Sequence, residues 1–350
     1  MNIVKVMLLC VALVFAQQTL RGFAYNPYGT LGAAPTIEDI LQKPSDIYRQ
    51  KFIYVSPEPG SGYSAFDLAD GSALLGFDQS LMLGFAKSFY GLFLNVSPYK
   101  RCDRNSDGNY ECSSNQNIGL NFSVPFGGSI IYAHTGYATR SDYYDENTVR
   151  YKQAADRETY IGITGGNNLV WDLRFNFDRY KTSYSGYTYE EYNFTPVKFK
   201  FSDYQTNIVF LFNFGYKVLQ NDRLKFIVGL NNELSWESNS YYYAIDLFEY
   251  YLRGKISPNF LGEIALTKHL LAFVGASYNI VSYLNWTAIE EDDTNMDTFN
   301  LDKYEPGAYV GLRCEYKNWA VETRLQSDAV GRFLDGKTPF IKLGAFFFFQ

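Results

Sequence analysis

The stretch YEPGAYVGLRCEYKNWAVETRLQSDAVGRFLDGKTPFIKLGAFFFFQ, residues 304–350, decides how the chain folds. It holds three runs in which side-chain character changes at every second residue. In the first, Pro306, Ala308, Val310, Leu312, Cys314 and Tyr316 share a face, and Glu305, Gly307, Arg313 and Glu315 lie on the other. The second run sets Trp319, Val321 and Leu325 against Glu322, Arg324, Gln326, Asp328 and Arg332. The third gathers Ile341, Leu343, Ala345, Phe347 and Phe349 opposite Lys342. A period of two means extended strand, because successive side chains leave the pleat on opposite sides. Lys317-Asn318 is a two-residue hairpin turn, and Asp335-Gly336 marks the second reversal. One face is apolar and the other carries charge, the pattern of a sheet with lipid outside and water inside.

Composition extends this reading to the whole chain. Aromatic residues make up 18% of the 350 positions, with 31 Tyr and 29 Phe, well above the needs of an ordinary soluble domain. Hydrophobic residues reach 47%, yet mean hydropathy is −0.22. Apolar residues are therefore diluted along the chain rather than pooled, as strands half in lipid and half in water require.

Residues 1–24 read as a secretory signal peptide. Lys5 supplies the positive start, Val6 to Ala16 is apolar, and small residues follow at Ala16 and Ala24, the two candidate cleavage sites. That apolar run is far short of the roughly 20 residues a spanning helix needs. Its removal takes away Lys5 and Arg21 and leaves 29 basic against 37 acidic residues, a net charge of −8. An exported acidic chain is a poor partner for nucleic acid. In residues 25–47, Thr36-x-x-Asp39 before Ile40 and Leu41 resembles a capping box, so a short helix over 36–42 is expected before Pro44 ends it. Two roles stay open for this segment: a plug entering the lumen from the periplasmic side, or a periplasmic leader with one helical turn.

From residue 48 to 350 the pattern predicts strands near 48–55, 73–84, 89–100, 115–126, 129–141, 156–164, 169–182, 202–218, 223–236, 251–266, 270–284, 304–316, 319–332 and 339–349. Tight turns at 127–128, 165–168, 220–222, 267–269 and 317–318 alternate with long polar connections near 101–114, 142–155, 183–201, 237–250 and 285–303. Short turns at one end and long loops at the other are what a transmembrane barrel shows. The fold class expected is all-β, an antiparallel up-and-down transmembrane barrel of about fourteen strands, acting as a monomer. Charge on the lipid face near the midplane costs roughly 2–4 kcal/mol, so the polar faces must look inward. They would line the lumen with Asp172, Arg174, Asp178, Lys225, Glu233, Arg253, Lys255, Glu263, Glu322, Arg324, Asp328 and Arg332. A ring of one sign predicts ion selectivity, whereas this mixture predicts either a modest general pore or an internal salt-bridge network that closes it. Val209 and Leu211 fall on the inner face too, and either line an apolar path or pack against the N-terminal segment.

An exported, aromatic-rich chain closing on an alternating strand with Phe349 near its end resembles a Gram-negative outer-membrane β-barrel protein. The likeness covers about residues 48–350 and lies in pattern rather than in a motif. It implies the outer membrane, a role as porin or transporter for small solutes, and contact with membrane lipid. Gln350 follows Phe349 where that class commonly ends on Phe itself. An N-terminal segment before a barrel of this size is also similar to the long-chain fatty-acid transporter family. Asn26-Pro27-Tyr28 stands where that family carries Asn-Pro-Ala, so none of its ligand sites is carried across.

Smaller constellations add expectations of their own. Asp103-x-Asn105-x-Asp107-Gly108 matches the first half of a calcium loop, though Ser114 stands where a bidentate acid belongs; it reads as a polar turn or as a weak calcium site. Cys102 and Cys112 are placed for a disulfide in an oxidising compartment. Tyrosines 184, 187, 189 and 192 suit an interfacial girdle or a sugar-binding loop, the second of which belongs to a closed barrel displaying its loops for adhesion. The two histidines, His134 and His269, stand apart from any metal-spaced pair, nucleophile elbow or phosphate loop, so no enzyme is expected and no cofactor beyond calcium.

Overall fold

A computed structural model describes residues 36–48, 50–56, 61–77, 80–104, 110–146, 148–189, 196–221, 223–241, 247–289, 294–296, 300–326 and 341–349. The signal-peptide reading and the lumenal candidates Asp328 and Arg332 lie outside them.

The strands are β1 (Phe52–Ser56), β2 (Ser61–Leu68), β3 (Gly71–Phe77), β4 (Leu81–Lys87), β5 (Tyr90–Arg104), β6 (Tyr110–Phe126), β7 (Ser129–Glu146), β8 (Thr148–Gly166) and β9 (Leu169–Tyr189). They continue as β10 (Pro196–Gln220), β11 (Leu224–Tyr241), β12 (Leu247–Ala265), β13 (Leu270–Ile289), β14 (Thr294–Met296), β15 (Asn300–Tyr316), β16 (Trp319–Gln326) and β17 (Ile341–Phe348). Each pairs antiparallel with its neighbours, and β1 pairs with β17, so sixteen strands close a ring; β14 only caps the far end of β13. Closure leaves no unpaired edge in the hydrocarbon, where an unsatisfied backbone group costs several kcal/mol.

The ring has two more strands than the pattern suggested. Residues 61–87 hold three strands where one, 73–84, was expected. The Ala69-Asp70 turn before Gly71 makes the reversal, with Ala69 at φ +53°. Alternation there is hidden because Leu74 faces inward, fully buried, next to outward Leu75. The long polar connections are also mostly strand: β7 and β8 pair up to Glu146↔Thr148, and β9 and β10 up to Tyr189↔Pro196. Beyond the membrane both faces of a hairpin are wet, so hydrophobic alternation fades while the ladder continues.

The wall is consequently uneven. Strands β3 and β4 have 7 residues each, about 24 Å of chain, whereas β10 has 25, about 85 Å. Outward positions carry the apolar band, among them Leu81 and Leu83 on β4, Phe175 and Phe177 on β9, and Val310 and Leu312 on β15, all exposed.

Before β1, helix α1 (Ile37–Gln42) and a 3-10 turn (Pro44–Ile47) lie against inward-facing residues of β3 to β7. The capping box forms as expected: Asp39 N–H donates to Thr36 Oγ1 at 3.2 Å, and Thr36 N–H donates to Asp39 Oδ2 at 2.9 Å. Ile40 and Ile47 are buried with Phe52, Tyr54, Leu74 and Phe93 in the main apolar cluster. Full burial of each aliphatic side chain stabilises the docked segment by about 1.5–3 kcal/mol. Glycine at 91 permits the approach, since a Cβ there would fall 2.0 Å from the Ser45 nitrogen.

Candidate functional site in the lumen

Register across β7 to β12 stacks the inward side chains in rows. The upper row, toward the long hairpins, runs Ala138, Asp156, Tyr180, Gln205, Asn239 and Glu249. The next runs Gly136, Glu158, Asp178, Asn207, Glu237 and Tyr251, and below it come His134, Tyr160, Asn176, Val209, Ser235 and Arg253. A fourth row holds Tyr132, Arg174, Leu211, Glu233 and Lys255. Charges therefore sort by register row on this wall. Of these four rows, the upper two carry acids and no Lys or Arg, and the lower two hold the cations. A polar pocket of about 230 Å³ opens between Asp156, Asp178, Tyr180, Gln205 and Asn207.

A chain of polar contacts joins this wall to the N-terminal segment. Asn121 Nδ2 donates to the Leu41 carbonyl at 2.8 Å, and the Asn121 Oδ1 lies 2.6 Å from His134 Nδ1. The imidazole stacks on Tyr160 at 4.8 Å, and the Arg174 guanidinium lies 5.2 Å from the same ring. Tyr132 donates to Asp172 at 2.7 Å, and Lys43 of the segment lies 5.7 Å from the Tyr132 ring. The Ser45 N–H donates to Ser123 Oγ at 2.7 Å. Buried polar groups at such a junction hold their partners because leaving one unmade costs about 1–3 kcal/mol.

The opposite wall is tighter. Arg313, with 0% exposure, bonds Glu322 through Nη1 and Glu315 through Nε, beneath the rings of Phe346 and Phe348. Arg324 lies 4.5 Å from the Tyr309 ring, while at the lower end of the β9–β12 wall Lys225 reaches Glu263 at 3.5 Å.

The ten lumenal candidates within the described residues all occupy inward register positions, but in two sets. Asp172, Arg174, Asp178, Glu233, Arg253 and Lys255 share the wall of β9 to β12, with Lys225 and Glu263 at its lower end, while Glu322 and Arg324 belong to the tight cluster on β15 to β17. Sequence reasoning missed Asn121, Tyr132, His134, Asp156, Glu158 and Tyr160. Asp156-Arg157-Glu158 carried a legible signal, since opposite charges one residue apart must face opposite sides. Val209 and Leu211 do face inward, but register sets Val209 between Asn176 and Ser235, and the described part of the segment packs mainly on β3 to β7. Cys102 and Cys112 are direct cross-strand partners in the β5–β6 register. Asn105 and Asp107 of the calcium expectation, like the side chain of Asp103, lie outside the described residues. Among the described residues no group of three or more potential ligands is arranged for a metal.

The geometry defines a class: a closed, up-and-down antiparallel barrel of the transmembrane kind, apolar outside and polar within. No protein-family model matches the chain, and no curated protein does. Among solved structures it is similar to the translocator domain of the autotransporter NalP from Neisseria meningitidis, at 15% identity over 75% of this chain and 88% of that one, with a TM-score of 0.34. It is also similar to the ferric-catecholate import receptor Fiu from E. coli K12, at 7% identity and a TM-score of 0.46, over 87% of this chain and 54% of the receptor's length. The toluene transporter TodX from Pseudomonas putida aligns at 8% identity over 84% and 86% of the two chains, with a TM-score of 0.34.

Proposed function

We propose that this chain is an outer-membrane channel for small polar solutes, entered past the acidic rows on its long-hairpin side. The width of the ring carries the reading. Sixteen strands at about 4.8 Å spacing and 35–45° tilt enclose, as an ideal circle, a space roughly 30 Å across, too wide for inward side chains to fill. The described N-terminal segment is one helix thick, about 10 Å, and docks mainly on β3 to β7, with its apolar side chains joining a cluster that reaches β1, β2, β16 and β17. The wall of β8 to β12 is left polar and pocketed, as a water-filled path requires. Asp156, Glu158 and Asp178 give that wall of the path an acidic stretch, which favours cations over anions.

Planar-bilayer recording with the folded protein tests this. Discrete conductance with a cation-favouring reversal potential is expected, and Asp156→Asn/Asp178→Asn should reduce that preference. Silent bilayers together with no solute entry into loaded vesicles would overturn the channel. The long β9–β10 hairpin favours a second reading, a barrel that displays this arm for surface binding. Under it, deletion of residues 183–201 abolishes glycan-array binding while bilayers stay silent.

A further inference from the structure

The outward face of the same strands carries a second set of charges. The runs Asp156-Arg157-Glu158 and Asp178-Arg179-Tyr180-Lys181 alternate sign, so the pleat sends their acids into the lumen and their cations out. Arg157 and Arg179 are direct cross-strand partners, and Lys181 pairs with Tyr204. All three cations are exposed. Their charged groups rest on aromatic rings of the belt: Arg157 lies 5.8 Å from the Tyr137 ring, and Arg179 and Lys181 lie 5.5 and 5.2 Å from that of Tyr204. None of the three is in an ion pair among the described residues. By register Tyr250 lies in the row of Arg179 and stacks on Trp236 at 6.2 Å, an aromatic pair of the kind that sits at a membrane interface. Directly below come Phe177, Phe175, Leu173 and Trp171 on the outward face of β9. From Trp171 to Arg179 is 8 residues, about 27 Å along a tilted strand and so about 21 Å of height, close to the roughly 25 Å band of barrels of this kind.

We propose that Arg157, Arg179 and Lys181 form a binding site for the phosphate groups of an anionic lipid in the leaflet on the long-hairpin side. The occupant is a lipid rather than free phosphate because the apolar column beneath the cations receives its chains while the belt holds its head. This rests on the barrel's place in a membrane and is independent of whether the lumen conducts. Guanidinium pairs take phosphate oxygens two at a time, and three cations near an anionic surface strengthen association on the order of a hundredfold together.

Folded protein in phosphatidylcholine vesicles containing lipid A is extracted gently, and the lipid A that stays bound is counted by native mass spectrometry. Arg157→Gln/Arg179→Gln/Lys181→Gln should lose most of it, a drop in retention of ten- to a hundredfold. Arg223→Gln/Lys268→Gln/Lys317→Gln removes the same charge from exposed positions at the opposite rim and should lose none. The charge-keeping Arg157→Lys/Arg179→Lys variant retains the lipid, and enzymatically dephosphorylated lipid A binds the unaltered protein poorly. Equal loss in the two Gln variants, or equal retention of phosphorylated and dephosphorylated lipid, overturns the site. Neither result bears on conductance, so failure here and failure of the channel are distinguishable.

Discussion

Replacing Arg313 gives the most direct test of how the inner wall is held together. Its guanidinium is wholly buried, bonded to Glu322 and Glu315, and covered by Phe346 and Phe348 at 5.5 and 5.9 Å. Glu322 is itself 0% exposed along its side chain, whereas Glu315 keeps 23%. Arg313→Met therefore takes the guanidinium away from a buried carboxylate, and breaking such a pair from one side costs about 3–5 kcal/mol. Glu322→Gln leaves the guanidinium with Glu315 and an amide oxygen, so it should cost less, about 1–3 kcal/mol. The double variant Arg313→Met/Glu322→Leu removes both charges and should return to within about 1 kcal/mol of the unaltered protein, or exceed it. Urea titration of protein refolded in vesicles, with the folded fraction read from heat-modifiable gel migration, supplies all three numbers. A cost below about 1 kcal/mol for Arg313→Met, or a double variant as weak as the sum of the singles, would refute this account.

Three further outcomes are expected. Gly91→Val places a side chain where the Pro44-Ser45 backbone lies, so residues 36–48 should undock, becoming protease-sensitive and raising channel current while the barrel still migrates as folded. Burial pushes the Asp46 carboxyl up to about 6, against a lowering by Lys43 and a further small rise from Asp39. A folded-state value raised above the ordinary carboxylate range means that docking weakens as pH climbs from about 4 to 6 and stays weak above it. Nicking of residues 36–48 should thus be faster at pH 7.5 than at pH 5, and Asp46→Asn should remove that difference; a flat profile in the unaltered protein counts against it. Cys102 and Cys112 are register partners on β5 and β6, so intact mass after alkylation without reductant should show both blocked as a disulfide; two alkylated thiols in protein secreted to an oxidising compartment would deny the bridge.

Strand type and sidedness were legible in the sequence because hydrocarbon leaves no latitude about charge. Arg313 and Glu322 had to point one way and Leu312 and Val321 the other, whatever the rest of the barrel did. The capping box at Thr36 was legible for a similar reason, since Asp39 meets Thr36 by local geometry alone. Residues 61–87 were not, because inward Leu74 and outward Leu75 answer to different partners: one packs under the N-terminal segment and the other meets lipid. The long hairpins were not either, since a ladder wetted on both faces has no period to read.

What the chain fixed by itself is the alternation, and with it the membrane-facing band, the inward charges and the closed, even ring. What needed the folded ring is the height of each charge. Strand register sets Asp156, Glu158 and Asp178 above Arg174, and it gathers Arg157, Arg179 and Lys181 on one outer patch. It also brings Asn121 to the Leu41 carbonyl across 80 residues of chain. Alternation is decided residue by residue, by which side of the pleat meets water. Register is a property of pairs of strands, and a one-residue slip would move every one of these groups to the other face.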